Sequence, residues 1–282
     1  MQNRRDFLSQ SATFMLATGT ALAAPVCPHS QEAPCHTDTK DRFRVGIAGY
    51  SLRDFSIEET LYWLQRWDLR AWAVKDVHLP LDSDAARILA FRKTCEAANV
   101  EPYAAGVIYM KTAAEVTRAF SYAERLGTRL IIGVPELRLL GEVEKAVKAT
   151  GIRLAIHNHG PDLDIFATPQ SVFERIKEMD TRIGLCVDIG HTQRCGIDPS
   201  DALLTCGDRV FDVHIKDVDK ASKEGKTVAL GHGIIDIHRL MRTLRKQGFT
   251  GVCGLEFESG KAETLPGLSE TLGYLRGVLD SL

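Results

Sequence analysis

From residue 43 onward, short apolar runs alternate with longer segments whose apolar residues recur at helical spacing. Runs of five to seven residues are typical of buried strands, and they occupy residues 44–48, 71–77, 101–107, 129–133, 153–157, 184–188, 211–216 and 251–257. Amphipathic helices are predicted between them, for example at 57–67, 84–98, 113–126 and 236–247, with a final helix at 265–279. Asn99, Gly127, Gly151 and Gly248 indicate where helices end.

This alternation indicates an α/β fold with a single (β/α)8 TIM barrel, because eight strand–helix units need about 250 residues. An open doubly wound sheet is the alternative, and it usually carries a glycine-rich phosphate loop after an early strand. Residues 46–50 read Gly-Ile-Ala-Gly-Tyr and lack the G-x-G-x-x-G spacing of that loop. The barrel domain is therefore predicted over residues 43–282.

The first 42 residues have the layout of an export signal followed by a leader. Paired arginines at positions 4 and 5 precede Phe-Leu, small apolar residues follow, and positions 21–23 read Ala-Leu-Ala, the form of a cleavage site. This resembles a twin-arginine signal peptide over residues 1–23, with a disordered leader over 24–42. We expect export by the twin-arginine machinery to the periplasm, or secretion, without a stable membrane anchor. The alternative is a chance basic N-terminus on a cytosolic protein.

The composition is that of an ordinary soluble domain, with 44% apolar and 26% charged residues among 282. A net charge of -2 and a pI near 6.5 offer no basic excess for nucleic acid. Seven cysteines include no C-x-x-C pair, and Cys95, Cys186 and Cys253 lie in apolar patterns typical of buried thiols. Cys27 and Cys35 could form a disulfide, although nothing in the sequence requires it.

The last four predicted strands end in ionisable side chains, whereas the first four provide few. Active sites of such barrels lie at the carboxyl ends of the strands, so these side chains are expected to converge. In chain order they are His157, His159, Asp188, His191, His214, Lys216, Glu256 and Glu258. Burying unpaired charges at four neighbouring strand ends would be costly, and a bound metal offsets that cost.

Four motifs at these strand ends resemble the sugar phosphate isomerase/epimerase family: IHNHG at 156–160, DIGH at 188–191, HIKD at 214–217 and GLEFE at 254–258. The resemblance covers about residues 43–280, with GYSL at 49–52 and KDVHLP at 75–80, and implies a xylose isomerase-like barrel. It also implies a metal held by side chains of strands five to eight, which here are His157, Asp188, His214 and Glu256. His157 stands where the family commonly has a glutamate.

The resemblance implies that the metal binds a carbonyl and a neighbouring hydroxyl of a sugar-like substrate and stabilises an enediolate. Glu256 is then the expected base, and Lys216, or Lys75 if it reaches inward, is expected to stabilise the developing oxyanion. A metal-bound His157 would be a poor base, because its lone pair is committed to the ion. A symmetric shuttle between two carboxylates is therefore not expected. His159, on the same strand face, is an alternative ligand or the second base.

The assignments of Glu256 and Lys216 each have an alternative. Glu258 lies two residues after Glu256 on the same strand face and could serve in its place. Lys216 could simply pair with Asp217 or Asp188.

Four further residues are candidate substrate contacts. The resemblance implies that His191 touches substrate, and capping of a helix is its alternative role. Lys75 and His78 follow strand two, where they contact substrate unless the loop is solvated. His232 lies between two glycines, which indicates a tight loop near the site.

Two enzymatic functions follow from this chemistry. The first is a metal-dependent isomerase or epimerase acting on a ketose-like sugar through an enediolate. The second is a lyase that begins with the same proton abstraction and expels a glycosidic leaving group from a 3-keto-glycoside. Loss of the strand-five glutamate fits an enzyme that returns no proton to the opposite face. Mixed nitrogen and oxygen ligands suit Mn²⁺, Mg²⁺, Co²⁺ or Zn²⁺, and the resemblance favours Mn²⁺.

Two other functions fit the sequence less well. An abasic-site endonuclease needs a larger metal set and a basic surface, which the pI of about 6.5 argues against. A non-catalytic sugar-binding barrel would tolerate the ligand set without explaining it.

Overall fold

Eight parallel strands hydrogen-bond into a closed barrel in the computed structural model, which describes residues 43–282. The barrel strands are β1 (Arg44–Ala48), β2 (Ala71–Val74), β3 (Glu101–Met110), β4 (Leu130–Pro135), β5 (Arg153–His157), β6 (Ile183–Asp188), β7 (Val210–Ile215) and β10 (Val252–Leu255). A short antiparallel ribbon of β8 (Asp217–Val218) and β9 (Thr227–Val228) follows β7. Sequential barrel strands are neighbours, and β10 closes the barrel between β7 and β1. The predicted (β/α)8 barrel is confirmed.

Helices alternate with the barrel strands. They are α1 (Ile57–Arg66), α2 (Ala85–Ala97), α3 (Ala113–Leu126), α4 (Leu140–Thr150), α5 (Pro169–Ile176), α6 (Ile189–Arg194), α7 (Pro199–Cys206), α8 (Ile237–Lys246) and α9 (Lys261–Asp280). The side chain of Ser56 accepts a hydrogen bond from the Glu59 amide, so a capping box begins α1. Gly127 and Gly151 adopt left-handed backbone angles after α3 and α4, as the sequence predicts for helix ends.

The core lies between the strands and their helices and continues into the barrel interior. Trp72 of β2 is fully buried and packs on Phe91 of α2, with ring centroids 5.4 Å apart. The three thiols predicted to be buried, Cys95, Cys186 and Cys253, are buried.

Several elements differ from the prediction. The second strand ends at Val74 rather than at residue 77, because the chain turns there and the His78 amide donates to the Lys75 carbonyl. The last helix begins at Lys261, four residues before the predicted start, and includes Pro266. Two helices, α6 and α7, follow β6, and the first of them carries site residues.

The predictions for residues 1–42 lie outside the described residues. They comprise the twin-arginine signal at 1–23, the leader at 24–42 and the pairing of Cys27 with Cys35. Between residues 43 and 282, none of the helices has the length and apolar character needed to cross a bilayer.

Candidate metal and substrate site

The four residues expected to bind a metal come from the carboxyl ends of four adjacent strands. His157 ends β5, Asp188 ends β6, His214 lies next to the end of β7, and Glu256 directly follows β10. All four are buried, and one ligand atom from each lies within 4.8 Å of the others. Two ligands about 2.0–2.2 Å from one ion are at most about 4.4 Å apart. Small side-chain adjustments therefore suffice to bring all four around one cation.

Specific nitrogen atoms of His157 and His214 point into this cluster. Nδ1 of His214 lies 3.0 Å from Nε2 of His157 and 3.2 Å from Oε2 of Glu256. Nε2 of His157 also lies 3.6 Å from Oδ2 of Asp188. That Oδ2 atom is buried and accepts no hydrogen bond of good geometry. Converging imidazole nitrogens and carboxylate oxygens fit a cation with mixed nitrogen and oxygen ligands.

Lys216 is buried among the carboxylates of this cluster. Its Nζ lies 2.9 Å from Oδ2 of Asp188, 2.9 Å from Oε2 of Glu256 and 3.1 Å from Oε2 of Glu258. Burial by itself lowers the pKa of Lys216, but the three carboxylates outweigh it and hold the pKa well above its usual value. Lys216 is therefore a fixed positive charge at the floor of the site.

The pKa values of the two imidazoles in the cluster are shifted in opposite directions. Burial lowers the pKa of His157 to about 4, so its ring is neutral at pH 7. Burial also lowers the pKa of His214, but the carboxylates of Glu256, Asp212 and Asp188 outweigh it and raise the pKa to about 9. Burial raises the pKa of Glu256, whereas Lys216 and His214 reverse this and lower it, so the carboxylate is ionised. A metal must therefore displace one proton from His214.

His159 lies beside the cluster and outside it. Its Nδ1 lies 3.2 Å from Nδ1 of His157, and its Nε2 lies 2.6 Å from the hydroxyl of Tyr109. Its ring stacks on that of His191, with centroids 5.7 Å apart. The strand-five histidine that belongs to the four-residue cluster is therefore His157, while His159 lies beside it in the cavity wall.

A cavity of about 370 Å³ opens above the cluster. It is lined by Tyr50, Lys75, Val107, Tyr109, His157, His159, Asp162, His191, Arg194, Glu256 and Glu258. Its lining comes from the carboxyl ends of the strands and the residues that follow them, where a barrel of this type places its active site. A carboxylate and several imidazoles that line one cavity, with the buried Lys216 ammonium next to the carboxylate, can support proton abstraction beside a carbonyl.

The candidate substrate contacts divide into two groups. His191 and Lys75 line the cavity, with Nε2 of His191 lying 3.4 Å from Nζ of Lys216. His78 is buried elsewhere, where its Nε2 lies 3.0 Å from the Leu52 carbonyl. His232 is exposed, and its Nε2 lies 2.7 Å from a Glu270 carboxylate oxygen. The structure therefore brings His191 and Lys75 to the site and leaves His78 and His232 outside the cavity.

Sequence reasoning missed several residues of the cavity wall. Tyr109 is half exposed at the mouth, and Arg194 reaches Asp162, with Nη1 lying 2.5 Å from Oδ2. Tyr50 belongs to the GYSL segment, which provided a weak signal. Asp162 and Arg194 lie in a loop and a short helix, and no spacing rule connects them.

Two buried carboxylates on or just after β7 have different surroundings. Asp217 accepts hydrogen bonds from four backbone amides, those of Val218, Gly231, Gly233 and Ile235, at 2.9–3.2 Å. It therefore fixes the loop after β7 rather than pairing with Lys216. Asp212 lies inside the barrel, where burial raises its pKa to about 6.

Cys186 offers a second grouping with His157 and His214. A cysteine binds a metal ion as the thiolate. Burial, followed by the nearby carboxylates of Asp212 and Asp188, holds the pKa of Cys186 well above its usual value. The set that contains Asp188 and Glu256 is therefore the better match to a divalent cation.

Comparison with known proteins supports this fold assignment. Residues 67–278 match the family model described as xylose isomerase-like TIM barrel. The chain is 26% identical over 122 residues to an uncharacterised protein of Methanocaldococcus jannaschii, a match covering 42% of this chain and 41% of that relative. The chain thus matches about two-fifths of the length of this relative.

Two solved structures share the fold. The IolI protein, which holds a zinc atom, aligns with a TM-score of 0.71 and 14% identity over 85% of this chain and 99% of that chain. The 3-keto-D-glucoside 4-epimerase from E. coli aligns with a TM-score of 0.69 and 13% identity over 84% of this chain and 100% of that chain. At these identities the likeness shows the fold alone. Because the family match extends over most of the sequence, the chain belongs to the xylose isomerase-like TIM barrel family.

Proposed function

We propose that this protein is a divalent-metal-dependent sugar isomerase or epimerase that removes a proton beside the carbonyl of a ketose-like substrate. The observation that carries the proposal is the buried cluster of His157, Asp188, His214 and Glu256 on the cavity floor, with Lys216 among its carboxylates. The E. coli 3-keto-D-glucoside 4-epimerase has the same fold, which is consistent with chemistry on a keto sugar.

His157, Asp188, His214 and Glu256 would hold the metal, which would polarise the substrate carbonyl. Glu256 is ionised and lines the cavity, so its carboxylate can take the proton from the adjacent carbon. Lys216 keeps Glu256 ionised before the reaction and supplies positive charge for the developing oxyanion. His191, which follows the neighbouring strand β6, holds the substrate near Lys216.

The opposite wall of the cavity determines whether a proton is returned. His159 and Tyr109 lie there, next to His157, where a second carboxylate base would be needed for a symmetric epimerase. His159, hydrogen-bonded to Tyr109, is the group on this wall best placed to transfer a proton. A 3-keto-glycoside lyase is the second candidate function, because imidazole and phenol groups can protonate a departing glycosidic oxygen.

We propose Mn²⁺ as the metal, with Co²⁺, Zn²⁺ and Mg²⁺ as alternatives. Two imidazole nitrogens and two carboxylates suit Mn²⁺, Co²⁺ and Zn²⁺ better than Mg²⁺, which prefers oxygen ligands. The partner is a small sugar or glycoside. The paired arginines near the N-terminus support export through the twin-arginine machinery to the periplasm or outside the cell.

Solvent deuterium exchange tests the function. Wild-type protein loaded with Mn²⁺ is incubated in D₂O with ketoses and 3-keto-glycosides, and each product is analysed for deuterium and for free aglycone. Exchange without aglycone supports an isomerase or epimerase, whereas aglycone release supports the lyase. Glu256→Gln should lose at least a hundredfold in exchange rate, while Glu258→Gln, the matched control, should keep most of it. Full activity of Glu256→Gln would refute the base assignment.

A further inference from the structure

Asp212 is a carboxylate in the interior of the barrel, below the proposed metal site. It lies on β7 two residues before His214, so both side chains point into the barrel. Its side chain is fully buried, and among residues 43–282 no lysine or arginine lies within ion-pair distance of it. A buried carboxylate without a cation is costly, and its presence therefore needs a reason.

The neighbours of Asp212 do little to stabilise its buried carboxylate. The thiol of Cys186 donates to Oδ1 at 3.5 Å, and a thiol is a weak donor. The hydroxyl of Tyr103 lies nearby without a hydrogen bond of good geometry. By contrast, Asp217 receives four backbone amide hydrogen bonds and has an evident structural role.

The third neighbour of Asp212 is the imidazole of His214. Oδ1 of Asp212 lies 3.8 Å from Nε2 of His214, and that nitrogen has no hydrogen-bond partner. A bare lone pair on Nε2 would face the carboxylate and be repelled, whereas an N–H there is attracted. Nδ1, on the other side of the ring, faces His157 and Glu256 in the ligand cluster.

We propose that Asp212 is a positioning residue for the metal centre, whose carboxylate keeps a proton on Nε2 of His214 and so leaves the Nδ1 lone pair for the metal. The inference rests on the proposed function, because it presupposes metal binding. Carboxylates that orient a ligating histidine in this way typically raise metal affinity ten- to a hundredfold.

The test compares two matched substitutions, Asp212→Asn and Asp217→Asn. Mn²⁺ affinity is measured by competition with a fluorescent chelator, and the thermal midpoint of the metal-free protein is measured in EDTA. Asp212→Asn should weaken Mn²⁺ binding ten- to a hundredfold and leave the midpoint unchanged or higher. Asp217→Asn should lower the midpoint and leave the affinity within about twofold, because it disrupts a loop anchor.

A second measurement uses the wild-type protein and needs no variant to fold. In ¹⁵N NMR spectra of the Zn²⁺-loaded protein, His214 should carry its proton on Nε2 and bind zinc through Nδ1. Zinc bound through Nε2, or an unchanged Mn²⁺ affinity in Asp212→Asn, would overturn the role of Asp212. Wild-type protein that binds no metal would instead count against the proposed function itself.

Discussion

The ammonium nitrogen of Lys216 lies 2.9 Å from Oε2 of Glu256 inside the carboxyl end of the barrel. The same nitrogen is equally close to Oδ2 of Asp188, so one cation separates two buried carboxylates. Without it, and without a metal, these carboxylates would repel each other in a site shielded from water. Lys216 thus stabilises the metal-free protein at the same place where the proposed metal would act.

Lys216→Met should therefore destabilise the metal-free protein by about 3–5 kcal/mol, since it leaves two buried charges unpaired. Added Mn²⁺ should recover part of this loss, because the ion replaces the missing positive charge. Thermal unfolding in EDTA and in Mn²⁺ measures both effects. Lys75→Met, which removes a lysine paired with Asp76 near the cavity mouth, is the control. An equal loss with and without metal would contradict the prediction.

His157→Ala and His159→Ala should separate the two strand-five histidines. Nε2 of His157 lies in the ligand cluster, whereas both nitrogens of His159 face other side chains. We expect His157→Ala to weaken Mn²⁺ binding at least a hundredfold and His159→Ala by less than tenfold. Elemental analysis after dialysis measures the retained metal. Greater metal loss in His159→Ala would reverse the assignment.

Metal affinity should rise with pH. The pKa of His214 is raised to about 9, so at pH 7 a metal must displace its proton, whereas His157, with a pKa of about 4, is already neutral. We expect the apparent affinity to increase up to tenfold per pH unit between pH 7 and about 9 and then to level off. Chelator competition from pH 6.5 to 9.5 measures the slope, and a flat profile would contradict it.

His214 also affects the stability of the metal-free protein, which should decrease as the pH rises. A folded-state pKa above the ordinary value of 6.5 means that protonated His214 stabilises the fold. This contribution is complete below about pH 6.5 and is lost as pH rises through 9. Thermal midpoints in EDTA should therefore fall across this range.

Gly190→Ala should displace Lys216. A Cβ at Gly190 would lie 2.8 Å from both Cγ and Cδ of the lysine, which is closer than carbon atoms pack. We expect a loss of at least tenfold in exchange rate, with a modest change in thermal midpoint. Gly273→Ala, in α9 with nothing within 4 Å of its added Cβ, is the matched control and should gain up to about 1 kcal/mol. Unchanged activity in Gly190→Ala would show that the position of Lys216 is not critical.

The barrel and the convergence of ionisable side chains at its carboxyl rim could be predicted because both follow from strand periodicity, whereas the choice of four candidate ligands among them came from the family resemblance. His157, Asp188 and Glu256 each come directly after, or end, an apolar run, and parallel strands that close a barrel place such residues on one rim. The predicted second strand was three residues too long, because it continued through Lys75 and Asp76 to Val77, whereas the chain turns after Val74.

The surrounding residues could not be predicted, because they depend on loop paths and side-chain directions. His78 and His232 lie near expected site segments, but one is directed to the Leu52 carbonyl and the other to Glu270 at the surface. Tyr109 reaches the cavity because β3 extends three residues beyond the predicted strand. Asp212 lies in the middle of an apolar strand; strand alternation places it on the face of His214, but only the closed barrel shows that its other neighbour is Cys186 of β6.

The imidazole of His157 also sets the formal charge of the cavity floor. Once the proton of His214 is displaced, Asp188, Glu256 and Glu258 supply three negative charges and Lys216 one positive charge, which leaves two negative charges that one divalent cation would neutralise. A glutamate at position 157 would leave the loaded floor with an extra negative charge. The floor formed here would neither repel a sugar that becomes an anion during proton removal nor offer surplus positive charge to a phosphorylated one. Its electrostatic balance suits an uncharged sugar that carries negative charge only while it reacts.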